Sequence, residues 1–185
     1  MKLYLKKFAK KALIKAMKES QLSMGNFSEE ALRYIVLEEL RRIKVLGEFP
    51  NKIKAKYHIY FEYNYKKFKT KKGVFRPDIA SIVNPLKPQI FINTHPLAIE
   101  LKITSEIRKD IVKCREYISS KKGEIHFEYA MLIVVPSQKK ISSLRDQVNV
   151  LKTRHSQMKS LPKQEKILFC WCDPEKDFID TFWIR

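Results

Sequence analysis

The chain has 185 residues, 38 of them Lys or Arg against 20 Asp or Glu, so it is long enough for one domain with a sizeable core and carries a formal charge of +18. That excess points to a polyanion met through Lys and Arg contacts to phosphate. Simple solubility and an anionic membrane surface are the competing readings, the second disfavoured because no long apolar run exists. Neither a G-x-x-x-x-G-K-[ST] loop nor a G-x-G-x-x-G loop occurs, so nucleotide-driven chemistry has no support.

In chain order, residues 1–19 place Leu5, Phe8, Ala9, Ala12, Leu13, Ala16 and Met17 on one helical face and seven lysines around the rest. This predicts a helix docked on the core with its lysines toward DNA; a merely solvated basic helix and a membrane-surface helix are the alternatives. Its apolar runs are too short for a secretory signal. Residues 21–26 read as a linker, which divides the chain into a basic amphipathic helix with its linker (1–26) and a main domain (27–185). The second helix starts at an N-cap Ser28, with Phe27 and Leu32 as a hydrophobic staple and Glu29 and Glu30 in the favourable first turn. It is expected to run to about Leu46, with Gly47 as a stop. Leu32, Val36, Leu40 and Ile43 share its apolar face with Glu29 and Glu39, whereas Glu30 and Glu38 point away. An acid on a buried face needs a partner.

Residues 56–68 carry Tyr57, Ile59, Phe61, Tyr63 and Tyr65 at period two, predicting a long strand. The basic tip that follows contains Lys67, Lys69, Lys71 and Lys72. It is either a solvated hairpin turn or, favoured by the net charge, a phosphate-contacting loop. Residues 74–83 read as a strand bent at Pro77, which lacks a ladder donor. Asn84, Pro85, Pro88, Asn93 and Pro96 then mark a turn-rich connection around a short apolar run at 90–92. Residues 98–103 alternate strictly, with Ile99, Leu101 and Ile103 facing one way and Glu100 and Lys102 the other. A charged helix over 107–119 bears Asp110, Lys113 and Tyr117. A strand at 129–135, a helix at 141–160 and strands at 166–171 and 177–184 close the chain. The order implies an α/β fold, a mixed sheet with helices on both faces. Cys114, Cys170 and Cys172 lack a zinc-ligand pattern and read as buried reduced thiols of an intracellular, cytoplasmic protein. The four histidines are scattered without ligand spacing.

The most informative fragments are Arg76-Pro77-Asp78 and Glu100-Leu101-Lys102. If their strands pair, Asp78 approaches Glu100, and two facing carboxylates are hard to tolerate unless a cation sits between them. In these residues, and in the helix–hairpin–helix–strand order over about residues 28–136, the chain resembles the PD-(D/E)XK, or restriction-endonuclease-like, nuclease superfamily. The resemblance implies a restriction-endonuclease-like core, here with an extra basic N-terminal helix. It implies hydrolysis of DNA phosphodiester bonds, with RNA left open, by an Mg²⁺-dependent nuclease, an endonuclease by preference, that Mn²⁺ can also serve. The products would carry 5′-phosphate and 3′-hydroxyl ends. Asp78, Glu100 and the Leu101 carbonyl would hold the metal, Lys102 would stabilise charge on the phosphate, and an acid of the first core helix would complete the site. That acid is assigned to Glu29, with Glu39 as its rival. The other reading is a non-catalytic nucleic-acid-binding or assembly subunit on the same fold, and a homodimer or a larger nuclease complex remains open as the assembled form.

Overall fold

The first helix, α1 (Lys2–Leu22), buries Leu5, Phe8, Ala9, Ala12, Leu13, Ala16 and Met17, the face expected from its periodicity. Three alanines in that stripe let the helix backbone lie close to its neighbours. The structure, a computed structural model, describes residues 2–23, 26–42, 55–61, 69–70, 73–74, 77–85, 94–103, 106–119, 127–157 and 165–184. The second helix, α2 (Glu29–Arg42), is capped as the sequence predicts: the Ala31 N–H donates to Ser28 Oγ at 3.1 Å. Phe27 packs against the same core as Leu32. Ile43, Leu46 and Gly47 lie outside the described residues.

The strands in chain order are β1 (Ala55–Phe61), β2 (Lys69–Thr70), β3 (Gly73–Val74), β4 (Ile79–Pro85) and β5 (Thr94–Lys102). After helix α3 (Arg108–Ile118) come β6 (Phe127–Val134), a 3₁₀ turn at Gln138–Lys140, helix α4 (Ile141–Gln157), β7 (Ile167–Asp173) and β8 (Phe178–Ile184). Six of them form one sheet in the order β1-β4-β5-β6-β7-β8; β2 and β3 pair separately as a small antiparallel ribbon. The β5–β6 and β6–β7 pairs are parallel and the outer pairs antiparallel, so the sheet is mixed.

Successive residues of the inner strands feed two cores. Ile99, Leu101, Met131, Ile133, Leu168 and Cys170 join α1 and α2 on one face. Ala130, Leu132, Val134, Phe169 and Trp171 join Ile107, Ile111 and Cys114 beside α3 and Leu144 and Val148 of α4 on the other. With both faces covered, β7 is buried along its whole length, which is why its sequence is an unbroken apolar run rather than an alternation. Within the first of these cores α1 packs on α2, β7 and β8.

Two expectations change, and a third reaches beyond the described residues. Of the long strand over 56–68, β1 accounts for residues up to Phe61, and 62–68 lie outside the described residues. Residues 74–83 are not one strand: β3 ends at Val74 and β4 begins at Ile79, leaving Pro77 and Asp78 just ahead of the ladder. Pro77 has no N–H to give, so pairing starts after it. The connection between the two motif fragments is shorter than the prolines suggested. Strand β4 continues through Asn84 and Pro85, and β5 already includes Pro96. The register goes from Ser81↔Leu97 to Val83↔Thr94, three steps on β5 against two on β4, so Pro96 is accommodated by a bulge. Pro88, Asn93 and the run at 90–92 lie outside the described residues. Among the described residues no helix is long and apolar enough to cross a membrane.

Candidate active site

The antiparallel register Ile79↔Ile99 brings the segment just before β4 beside the second half of β5. Asp78 is fixed there by its Oδ2, which accepts the Leu101 N–H at 2.7 Å, and Arg33 of α2 reaches its Oδ1 at 4.0 Å. Thus the carboxylate ahead of one strand takes the donor of a residue on the other, and the two motif fragments are joined through the backbone.

Glu100 lies opposite Leu132 of β6, on the face covered by α3, and is 1 % exposed. Both of its oxygens are engaged. The Tyr117 hydroxyl donates to Oε1, and the Lys113 ammonium donates to Oε2 at 3.2 Å. Burial, reinforced by the nearby charge of Asp78, pushes the Glu100 carboxyl up to about 7 even though Tyr117 and Lys113 pull the other way. Tyr117 itself is raised by burial and by Glu100, which keeps its hydroxyl a donor.

Helix α3 supplies three groups to this place. Asp110, Lys113 and Tyr117 stand at i, i+3 and i+7, one stripe of a helix, and the stripe faces the sheet. Lys113 bridges Asp110, at 3.1 Å, and Glu100. Burial alone would lower its ammonium, but Glu100 and Asp110 together carry it up to about 12. Asp110 is itself 4 % exposed.

Lys102 is the last residue of β5, so its side chain leaves the end of the sheet and meets both helical layers. Its Nζ stands 3.8 Å from Glu29 Oε2 at the start of α2 and 3.9 Å from Asp110 Oδ1 on α3. These are ionic contacts at longer range than hydrogen bonds. Glu29, Asp78, Glu100 and Lys102, singled out from the sequence, therefore share one region with Arg33, Asp110, Lys113 and Tyr117. The rival acid has other partners: Glu39, on α2, is held by Lys15 of α1 at 2.5 Å and by Arg42 at 3.2 Å. The Lys15 hydrogen bond, outweighing the cost of burial, lowers its carboxyl below the usual range.

The donor set suits a hard cation. It consists of oxygens, and Glu100 is raised partly by the negative charge of Asp78, a repulsion that a cation between them would relieve. Asp78, Glu100 and the Leu101 carbonyl are the groups that could hold it. Among the described residues no group of three or more His, Cys, Asp and Glu side chains converges to hold a metal, so water or substrate oxygens would supply the remaining ligands.

The role of α3 was not assigned from the sequence. Its signal was present as the 110–113–117 spacing, but the same pattern serves equally well for a solvated helix. Of the basic tip, Lys69 opens β2, while Lys67, Lys71 and Lys72 lie outside the described residues. Cys114, Cys170 and Cys172 are buried free thiols, and burial pushes each of them up, away from reactivity. Comparison with protein-family models, with curated proteins and with solved structures gives no match.

Proposed function

We propose that this chain is a metal-dependent nuclease of the PD-(D/E)XK type, with a restriction-endonuclease-like core, that hydrolyses DNA phosphodiester bonds. The observation that carries the reading is the state of Glu100: a carboxyl 1 % exposed, raised to about 7 beside Asp78, two residues from a lysine at the end of the same strand. A fold gains no stability from such a pair, so a task at that place explains it better than packing does.

Mg²⁺, when bound by Asp78 and Glu100 with the Leu101 carbonyl, supplies a lowered pKa for an attacking water and offsets charge building on the phosphate. The Leu101 N–H orients Asp78 and leaves its second oxygen toward Arg33. Tyr117 and Lys113 fix the plane of the Glu100 carboxyl. Lys102 presents an ammonium to the phosphate oxygens, held at the mouth of the site by Glu29 and Asp110 rather than locked by either. The charge of +18 supplies sequence-independent affinity for the phosphate backbone, and Lys67, Lys69, Lys71 and Lys72 are its proposed contacts in the basic tip.

One observation favours a second reading. Both Glu100 oxygens already have protein partners, as they would in a nucleic-acid-binding or assembly subunit that performs no chemistry. Incubating the purified protein with supercoiled and linear DNA, and with single-stranded RNA, in Mg²⁺, Mn²⁺ or EDTA separates the two. Cation-dependent cleavage that is lost in Asp78→Ala supports the nuclease. Retained binding without cleavage under every condition supports the binding subunit.

A further inference from the structure

Lys113 has no counterpart in the two motif fragments, yet it makes the closest ionic contact to Glu100, at 3.2 Å. Its ammonium stands against Oε2, one of the two carboxylate oxygens through which Glu100 could hold a divalent cation. It also has a second acid at hand, Asp110 at 3.1 Å, one helical turn back along α3. Asp110 in turn lies 3.9 Å from Lys102, so the order around the site is Glu29, Lys102, Asp110, Lys113, Glu100. Two ammonium groups alternate with three acids, and Asp78 adjoins the last. Apart from Glu29, with its side chain 34 % exposed, the acids of this series are almost wholly buried.

Resting on the metal site proposed above, we infer that Lys113 is a built-in occupant of that site, a monovalent counter-ion that keeps Glu100 paired in the metal-free protein and competes with the divalent cation for it. Asp110 is the group that retains the Lys113 ammonium once Glu100 is engaged elsewhere. Two consequences follow from charge alone. Without Lys113, the buried acids Glu100 and Asp110 would lose the cation that stands 3.2 and 3.1 Å from them while Asp78 stays close by, a loss that is costly to the fold and leaves the acids strongly attractive to a cation. With it, the metal-free fold is neutralised and cation affinity is reduced, because a positive charge must be displaced from the carboxylate or tolerated beside the ion. Lys102 is poorly placed for the same task, since its contacts at 3.8 and 3.9 Å are to Glu29 and Asp110 and not to Glu100.

The test is Mn²⁺ binding, measured by titration calorimetry and by the shift in melting temperature, with no substrate present. Lys113→Met should melt lower than wild type in EDTA, bind Mn²⁺ at least about tenfold more tightly and gain a larger melting shift from it. Lys113→Arg, which keeps the charge, should return both quantities toward wild type. Asp110→Asn removes the acid that retains Lys113 and should weaken Mn²⁺ binding, which keeps the inference open to refutation if Lys113→Met does not fold. Tight wild-type binding left unchanged or weakened in Lys113→Met, or unchanged in Asp110→Asn, overturns the counter-ion role while leaving the metal site standing. No Mn²⁺ binding by wild type or either variant overturns the metal site and the counter-ion role together.

Discussion

Two glutamates of this chain are buried to nearly the same degree, Glu39 at 5 % and Glu100 at 1 % exposure, and their carboxyls are shifted in opposite directions. Glu39 sits in the seam between α1 and α2, where Lys15 and Arg42 outweigh the cost of burial and lower it. Glu100 sits between β5 and α3, where burial and Asp78 outweigh Lys113 and Tyr117 and raise it. Low exposure of an acid, taken alone, is therefore not what marks a site. What separates the two is which influence leads: at Glu100 burial comes first and Asp78 adds to it against Lys113 and Tyr117, whereas at Glu39 the Lys15 hydrogen bond comes first and overrides burial.

The strongest way to break this contrast is by activity. Glu100→Ala and Asp78→Ala should each lower DNA cleavage in Mg²⁺ by at least about a hundredfold, while Glu39→Ala should stay within a few-fold after correction for folded protein. Equal losses in a plasmid-nicking assay would erase the distinction. Lys102→Ala should fall with the first group, keeping DNA binding but losing rate.

Stability against pH sharpens the comparison next. The raised Glu100 holds its proton more tightly when folded, so its contribution is complete below the ordinary carboxyl range and is lost as pH rises through about 7. In metal-free buffer that loss is on the order of 3 kcal/mol, and Glu100→Gln should abolish it. The lowered Glu39 has the opposite sign: its contribution is present above the ordinary range and disappears as pH falls through its depressed value. Urea titrations of wild type, Glu100→Gln and Glu39→Gln between pH 4 and 8 read both slopes, and a Glu100→Gln protein with the wild-type slope would refute the assignment.

The smallest effects distinguish the two candidates for a third acid. Glu39→Gln removes the buried one of the two acids, Glu38 and Glu39, that Lys15 and Arg42 share, and should lower the melting temperature by about 5 °C with little change in rate per folded molecule. Glu29→Gln, at the first turn of α2, should leave melting within about 2 °C and reduce the rate or alter the preference between Mg²⁺ and Mn²⁺. The reverse pattern would transfer the role to Glu39 and leave Asp78, Glu100 and Lys102 in place.

These outcomes trace back to features of unequal visibility in the sequence. The apolar stripe of α1, the Ser28 cap and the alternation of β5 were readable because each is a local pattern with one structural meaning. Periodicity also put Glu29 and Glu39 on one face of α2, but it could not tell them apart, since the partner that neutralises Glu39 comes from α1. Pro96 read as a turn because its missing N–H argues against an inner strand, and only the register shift on β5 accommodates it. The stripe on α3 was ambiguous for a similar reason. Asp110, Lys113 and Tyr117 would suit solvent as well as a site, and what decides is the strand they cover.

The docking of α1 has a consequence for how the fold is reached. Its apolar stripe rests on β7 and β8, Gln21 donates to the Pro174 carbonyl at 2.9 Å, and Lys2 lies 5.0 Å from the Trp183 ring centre. The contacts that complete this core thus join parts of the sequence more than 150 residues apart. A helix made early can pair with α2, but the part of its apolar stripe that rests on β7 and β8 stays uncovered until residues 167–184 have been synthesised and paired. Such closure is slow to form because it spans most of the chain, and slow closure exposes apolar surface to other molecules. The seven lysines of α1 give every waiting chain the same charge, and like charge opposes association of chains whose last strands have not yet arrived.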